Sequence, residues 1–139
     1  MALFWQRNRR FDQNPYFRSM EASEKSIKTT RTARYFQLGE CDAQTKRLWI
    51  VLHGYGQLAS FFIKHFEAMV DDETCVVAPE GLSRFYLDGK WDRVGATWMT
   101  KEDRLHEIED YVEYLDRMLA ALVDDLETKP EIVLLAFSQ

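Results

Sequence analysis

Three short, mainly apolar runs punctuate the chain, and each has the length of one β-strand. They span residues 48–52, 74–78 and 132–137. Because the apolar residues in them are continuous rather than alternating, each run predicts a strand that is buried on both faces, as in a sheet covered by helices. An earlier segment, 26–38, is rich in β-branched and aromatic residues, and its loose alternation predicts an edge strand or a hairpin.

A helical period separates the first two of these runs. Leu58, Phe62 and Phe66 recur at steps of four, which predicts a helix of about three turns over 58–70. The stretch 80–95 holds three glycines and several aromatic residues among charges, and it predicts a long loop.

A longer helix is predicted before the last run. Its apolar residues recur every three or four positions in a single stripe: Leu105, Ile108, Val112, Leu115, Leu119, Leu122 and Leu126. Thr100 and Asp103 form a plausible capping pair at its start, and Pro130 ends it.

The order of these elements, β-β-α-β-α-β, predicts an α/β fold. Strands that alternate with helices pair in parallel through right-handed crossovers. In such a fold the strand over 132–137 would be central, and nothing after it in this chain remains to cover its far edge.

Length and charge narrow the class of protein. The chain has 139 residues, 46% of them hydrophobic, which suits one globular domain or a piece of a larger one. Residues 1–19 carry four arginines against one aspartate, a net charge of +3, so the remainder carries −8 of the total of −5. An acidic body argues against a nucleic-acid-binding protein. We predict a basic, disordered extension over 1–19, with Met20 an alternative start to Met1, and a domain over 20–139.

The cellular compartment is predicted from what the sequence lacks. It shows no secretory signal and no apolar run near the roughly 20 residues that a membrane-spanning helix needs. Cys41 and Cys75 stand apart, with no ligand-like spacing to a histidine or to each other. These features predict a cytoplasmic protein with reduced thiols and no metal site.

Two strand ends carry the candidate chemistry. The segment 53–56, His-Gly-Tyr-Gly, follows the first buried run, and 136–139, Ala-Phe-Ser-Gln, ends the third. Open parallel sheets place their sites beyond the carboxyl ends of strands. Glycines there let backbone N–H groups approach a ligand, and Ser138 would stand clear of the sheet at the tip of its strand.

These two segments resemble the α/β-hydrolase esterases, in particular the phospholipase/carboxylesterase group that includes the acyl-protein thioesterases. The resemblance covers about residues 33–139, the N-terminal portion of that domain. It implies an α/β-hydrolase fold truncated after the nucleophile strand, and a serine hydrolase acting through an acyl-serine intermediate. The implied roles are Ser138 as the nucleophile, the backbone N–H groups of Tyr55 and Gln139 as the oxyanion hole, and His53, Gly54 and Gly56 as braces of the loop.

The chain departs from the family pattern at several positions. Ala136 replaces the first glycine of the G-x-S-x-G elbow, and Gln57 stands where many relatives have an acidic residue. In this fold the catalytic acid and histidine follow the serine, whereas His65 and His106 precede it on predicted helices. The resemblance therefore implies a fragment without the catalytic Asp and His, and without esterase turnover.

The substrate implied is a small acyl ester or a lipid-like molecule, with ester, lysophospholipid and thioester left open, and no cofactor is implied. Aromatic and thioether side chains that could line an acyl pocket are Phe85, Tyr86, Trp98 and Met99.

Two other classes of function remain open from the sequence. Gly54-x-Gly56-x-x-Ala59 fits a dinucleotide-binding pattern, with Glu80 placed for a ribose, although that hypothesis does not account for Ser138. A non-catalytic interaction fragment is the other class. The leucine stripe would also suit a coiled coil, and an exposed edge at 132–137 would allow self-association.

Overall fold

The computed structural model describes residues 22–139, so the extension predicted over 1–19 and the alternative start at Met20 lie outside the described residues. The chain divides into two compact units, Met1–Arg31 and Thr32–Gln139. Of the first unit, residues 22–31 are described, and they contain no helix or strand.

The second unit holds six strands and two α-helices, the first of which continues as a 3-10 helix. In chain order these are β1 Tyr35–Leu38, β2 Arg47–Leu52, α1 Ala59–Phe62 with its 3-10 continuation Ile63–Met69, β3 Thr74–Pro79, β4 Ser83–Tyr86, β5 Val94–Thr97, α2 Arg104–Val123 and β6 Glu131–Ala136.

The main sheet has the strand order β1-β3-β2-β6. Strand β2 pairs in parallel with both β3 and β6, so Leu48 lies between Cys75 and Ile132. The predicted parallel sheet is therefore confirmed. Strand β1 pairs antiparallel with β3 and is the predicted edge strand, but it is shorter than the predicted segment 26–38. Within residues 22–139, β6 forms the opposite edge of the sheet and has no strand on its outer side.

Helices cover both faces of this sheet. On one face Val51 and Val76 pack with Phe62 and Phe66 of the first helical segment. On the other face Leu48, Ile50 and Val77 pack with residues of α2, Met118 and Val123 among them. The alternate side chains of β2 thus enter two separate cores, which is why its sequence is apolar at nearly every position.

The helix predicted over 58–70 is α-helical for only four residues and then tightens to a 3-10 helix. Ile63 and Phe66 are both buried there. Their spacing of three matches the three residues per turn of a 3-10 helix, so the tighter winding keeps both side chains on the sheet.

Helix α2 confirms the predicted long helix, but the predicted cap is wrong. Asp103 takes a left-handed conformation with φ of 50°, and its side chain makes no capping hydrogen bond. It accepts a bond from Nδ1 of His106 instead, at 2.6 Å. Glu107 accepts the Thr100 N–H at 2.7 Å and fixes the entry to the helix. The predicted apolar stripe is at most half-buried, and Leu105 at its start is 73% exposed. The buried side chains of α2 are Met118 and Val123, which lie outside the stripe.

The segment 80–95 is not a plain loop, because β4 and β5 pair there as an antiparallel hairpin. Its glycines suggested irregular structure, but two of them mark close backbone approaches. A Cβ on Gly95 would collide with the backbone of Gly56, and one on Gly81 would lie 2.5 Å from the Thr97 carbonyl oxygen. Among the described residues, no helix combines the length and apolar character needed to cross a bilayer.

Candidate active site

The ends of β2 and β6 bring the two predicted segments into contact. The two strands stay in parallel register up to Leu52 and Ala136, and the Phe137 N–H donates to the Leu52 carbonyl oxygen at 3.0 Å. A Cβ added to Gly54 would lie 2.9 Å from the Phe137 ring and 3.2 Å from its carbonyl oxygen. The glycine loop, residues 53–57, therefore packs directly against the residue before Ser138, and this contact requires glycine at position 54.

Ser138 has a backbone conformation that is unusual for its residue type. Its φ is +67°, in the left-handed region that favours glycine. The Gln139 N–H donates to the Phe137 carbonyl oxygen at 2.8 Å and closes a three-residue turn around Ser138. A turn of this kind with positive φ is rare and strained, and such strain concentrates at functional sites. The turn breaks the strand direction at the serine, whose side chain is solvent-exposed.

Of the three N–H groups at the centre of the glycine loop, residues 54–56, those of Gly54 and Gly56 are hydrogen-bonded to described residues. Gly54 N–H donates to Gln57 Oε1 at 2.7 Å, Gln57 N–H to the Gly54 carbonyl at 3.2 Å, and Gly56 N–H to the Ala96 carbonyl at 2.9 Å. Within residues 22–139 the Tyr55 N–H has no acceptor. Of the two predicted oxyanion donors, Tyr55 is thus available, whereas the Gln139 N–H is engaged by Phe137.

His53 is built into the protein interior and is only 1% exposed. Its Nε2 accepts the Gly81 N–H at 3.0 Å, which leaves Nδ1 to donate to the Gly54 carbonyl at 2.8 Å. The indole of Trp98 stacks on the imidazole, and its Nε1 donates to the His53 carbonyl at 2.8 Å. Burial lowers the pKa of His53, so the ring is neutral near neutral pH. With both nitrogens occupied, His53 is placed to brace the loop and not to accept a proton.

Strand β5 and the residues after it touch both halves of the site. Ala96 exchanges backbone hydrogen bonds with the glycine loop, to Gly56 and Gln57. The carboxamide of Gln139 bonds to the next two residues, through Thr97 Oγ1 and the Trp98 N–H. These contacts could not be predicted from the sequence pattern, because the pattern did not indicate the β4–β5 hairpin.

The predicted pocket residues lie in different surroundings from one another. Phe85 contacts Tyr55 with tilted rings whose centroids are 5.1 Å apart, whereas Tyr86 contacts Trp91 with ring centroids 4.9 Å apart. Trp98 is buried against His53, as described above. Met99 is half-buried, and its carbonyl accepts hydrogen bonds from Gln139 and Thr97.

A groove of about 570 Å³ lies on the α1 side of the glycine loop. Its lining mixes apolar and polar side chains: Gly56, Gln57, Leu58, Phe61, Phe62, His65, Leu87, Asp92, Arg93 and Val94. None of the four predicted pocket residues belongs to this lining. Their role in an acyl pocket stays a prediction.

Glu80 is a site-supporting residue that sequence reasoning assigned only to a ribose. It is 1% exposed, and its Oε1 accepts from Nε of both Arg34 and Arg84, at 2.8 and 2.9 Å. Its Oε2 accepts from Arg34 Nη2 and from the Ala59 N–H, both at 3.2 Å. Glu80 therefore joins the start of α1 to two strands, and its oxygens are too fully used to bind a ribose hydroxyl.

The remaining histidines contact other side chains. His65 packs edge-on against Phe62, and His106 pairs with Asp103, whose hydrogen bond raises the pKa of His106. Within residues 22–139 no side chain hydrogen-bonds the Ser138 hydroxyl. The same residues contain no group of three or more histidine, cysteine or acidic side chains placed to hold a metal ion.

The comparisons with known proteins agree with this geometry at the level of the fold. The crystal structure of esterase PE8 superposes on 78% of the chain with a TM-score of 0.53 and 26% sequence identity. The fold is esterase-like. The matched region spans 54% of esterase PE8, so the chain corresponds to about half the length of that protein. No known family profile and no curated protein matches the sequence.

Proposed function

We propose that this chain carries the nucleophile and part of the oxyanion hole of a serine hydrolase, of the phospholipase/carboxylesterase type, which acts through an acyl-serine intermediate. The observation that carries the proposal is the strained, positive φ of Ser138 at a strand tip packed against the glycine loop. The esterase-like fold supports it, since esterase PE8 matches 78% of the chain at 26% sequence identity.

The proposed chemistry follows from the exposed hydroxyl and the free amide. The Ser138 oxygen attacks the carbonyl carbon of an ester, and the carbonyl oxygen takes up the negative charge. The Tyr55 N–H stabilises this oxyanion, and the Gln139 N–H joins it when its bond to the Phe137 carbonyl is released. The alcohol or thiol then leaves, and water hydrolyses the acyl-serine.

Proton transfer needs a base that residues 22–139 do not place beside the serine. His53 has both ring nitrogens bonded, and His106 is paired with Asp103. We propose that the histidine and its orienting carboxylate come from outside these residues. The 139-residue chain alone is then expected to give no steady hydrolysis of p-nitrophenyl esters. Steady turnover that is lost in Ser138→Ala would contradict this expectation.

The groove beside the glycine loop suggests where an acyl group binds. It is lined by Gly56, the neighbour of Tyr55, and by Phe62, whose ring centroid is 6.3 Å from that of Phe137. The apolar side chains of this groove, Phe62 among them, suit the acyl chain of a small ester or a lipid-like substrate.

A boronic acid tests the nucleophile and the oxyanion hole without requiring the rest of a triad. When the Ser138 oxygen bonds to boron, the hydroxyl proton is released to solvent and boron becomes a tetrahedral anion that mimics the acyl-transfer intermediate. Butylboronic acid added to the full chain should show this change by ¹¹B NMR. Ser138→Ala should abolish it, and Ser83→Ala, a serine on β4, should not. An equal signal in Ser138→Ala would overturn the proposal.

A further inference from the structure

We propose that the carboxamide of Gln139 and the hydroxyl of Thr97 are positioning groups that fasten the strained serine turn to β5, and that β5 thereby fixes the serine and the glycine loop as one rigid unit. The inference rests on the proposed function only where it concerns catalysis. The mechanical part, that these side chains maintain the conformation of Ser138, stands separately.

The Gln139 side chain forms its hydrogen bonds with one short segment, residues 97–99. Its Nε2 donates to Thr97 Oγ1 at 2.7 Å and to the Met99 carbonyl at 2.8 Å. Its Oε1 accepts the Trp98 N–H at 3.1 Å. Two donors and one acceptor on the same group are what an amide offers and a carboxylate does not.

The strained turn needs support on both sides of Ser138. On the N-terminal side the Phe137 N–H is held by the Leu52 carbonyl, as a continuation of the β2–β6 pairing. On the C-terminal side, within residues 22–139, the tie to the rest of the protein is the Gln139 side chain. A non-glycine residue keeps a positive φ only when its surroundings fix it, so loss of this tie would let Ser138 relax to an ordinary conformation.

The preceding residue of the same strand, Ala96, holds the glycine loop. Ala96 accepts from Gly56 N–H at 2.9 Å and donates to the Gln57 carbonyl at 3.1 Å, one residue before Thr97. Trp98, one residue after it, is stacked on His53 and bonded to its carbonyl. Three consecutive residues of β5 and its extension thus contact the glycine loop, the serine turn and the bracing histidine. The distance between nucleophile and oxyanion donor is set through this strand.

The first experiment removes the donors of Gln139. Gln139→Glu keeps an oxygen for the Trp98 N–H but, when ionised, has no hydrogen for Thr97 or Met99. Because the residue is exposed, the core should stay folded. Two readouts on the full chain are compared with wild type. They are the intraresidue amide-to-α-proton NOE of Ser138, which is strong at positive φ, and the affinity of butylboronic acid. We expect the NOE to weaken and the affinity to fall about tenfold.

Matched variants separate positioning from stability. Thr97→Val removes the hydroxyl but nearly keeps the volume, whereas Thr97→Ser keeps the hydroxyl and loses a methyl group. Thr97→Val should weaken boronate binding several-fold, and Thr97→Ser should retain wild-type affinity even where its melting temperature is lower. Gln44→Glu, the same substitution on an exposed turn, should change neither readout.

The outcomes test the inference and the proposed function separately. If wild type forms no boronate adduct, the proposed function fails, and the NOE of Gln139→Glu still decides whether the side chain holds the turn. If the NOE and the affinity are both unchanged in Gln139→Glu, the inference is overturned. It is also overturned if only one of them changes in a chain that binds the boronate, because affinity would then not depend on the serine conformation.

Discussion

At the scale of single residues, two unusual states mark the site. Ser138 holds a positive φ, and His53 is an uncharged imidazole enclosed by the protein. Among the described non-glycine residues, Trp91 and Asp103 also have positive φ, but both lie in exposed turns away from the glycine loop. A positive φ is unfavourable for serine, and burial opposes the protonation of histidine. Each state should therefore affect the measured free energy of unfolding.

The strain at Ser138 predicts that glycine is more stable than alanine at this position. Alanine keeps the Cβ that disfavours φ of +67°, whereas glycine removes it. Ser138→Gly should therefore be more stable than Ser138→Ala by about 1 kcal/mol, although glycine in an ordinary extended position is the less stable of the two. Urea unfolding of both variants measures the difference. A less stable glycine variant would mean that Ser138 is not strained in solution.

The burial of His53 predicts a loss of stability on mild acidification. Its pKa is lowered from the usual 6.5, mainly by burial, so the unfolded chain binds a proton more readily than the folded one. The contribution of His53 to the free energy of unfolding is complete above pH 6.5. It is lost as the pH falls from there towards the lower pKa of His53 in the folded protein. His106 acts in the opposite direction, because its hydrogen bond to Asp103 raises its pKa and favours the folded state at low pH.

A background that lacks His106 isolates this effect. In His106→Asn, the urea midpoint should fall steadily between pH 6.5 and about 5, above the range in which ordinary carboxylates titrate. His53→Asn in the same background should give a flatter profile, whatever its overall stability. Identical slopes with and without His53 would show that another group titrates in this range.

At the scale of elements, the sequence predicted what depends on local pattern. The three buried strands and α2 follow from continuous apolar runs and a helical period, and the structure places each within a few residues of its predicted bounds. The meeting of the 53–56 and 136–139 segments followed from the rule for carboxyl ends of parallel strands. These parts could be predicted because each depends on few neighbours.

The hairpin β4–β5 could not be predicted, because its stability comes from contacts distant in the sequence. Gly95 suggests a break in a strand, yet it lies in β5 because the Gly56 backbone packs where a Cβ would be. Glu80 is a charged residue in a buried position, and only the pairing of β1 with β3 brings Arg34 to it. The hydrogen bond from Gln139 to Thr97 likewise joins residues 42 positions apart.

The close approach at Gly95 predicts that alanine is far more destabilising there than at Gly89 in the same hairpin. Gly95→Ala would force β5 away from the glycine loop, so we expect a loss of about 1–3 kcal/mol, as for an overpacked core, and a weaker boronate adduct. Gly89→Ala is the control, because nothing lies within 4 Å of its added Cβ. It should be neutral or slightly stabilising. Thermal melts compare the two, and equal effects would contradict the packing of β5 on the loop.

At the scale of the whole molecule, the two edges of the sheet differ. Strand β1 is short and half-exposed, whereas β6 presents a longer outer edge that is unpaired within residues 22–139. The register places Ile132 and Leu134 beside Leu48 and Ile50, on the face that α2 covers. Over β6 this cover is incomplete, since Ile132 is 45% and Leu134 65% exposed. Apolar side chains beside unpaired backbone groups form a surface on which a second strand can add.

We therefore expect the 139-residue chain to self-associate through β6 as its concentration rises. Leu134→Lys should reduce this association, because a charged side chain on an edge strand opposes the addition of another strand. Leu105→Lys is the matched control, since Leu105 is 73% exposed but lies on α2. Light scattering over a concentration series compares wild type with both variants. If association falls equally in both, general apolar exposure drives it. If wild type stays monomeric throughout, the edge of β6 is protected in solution despite its open backbone.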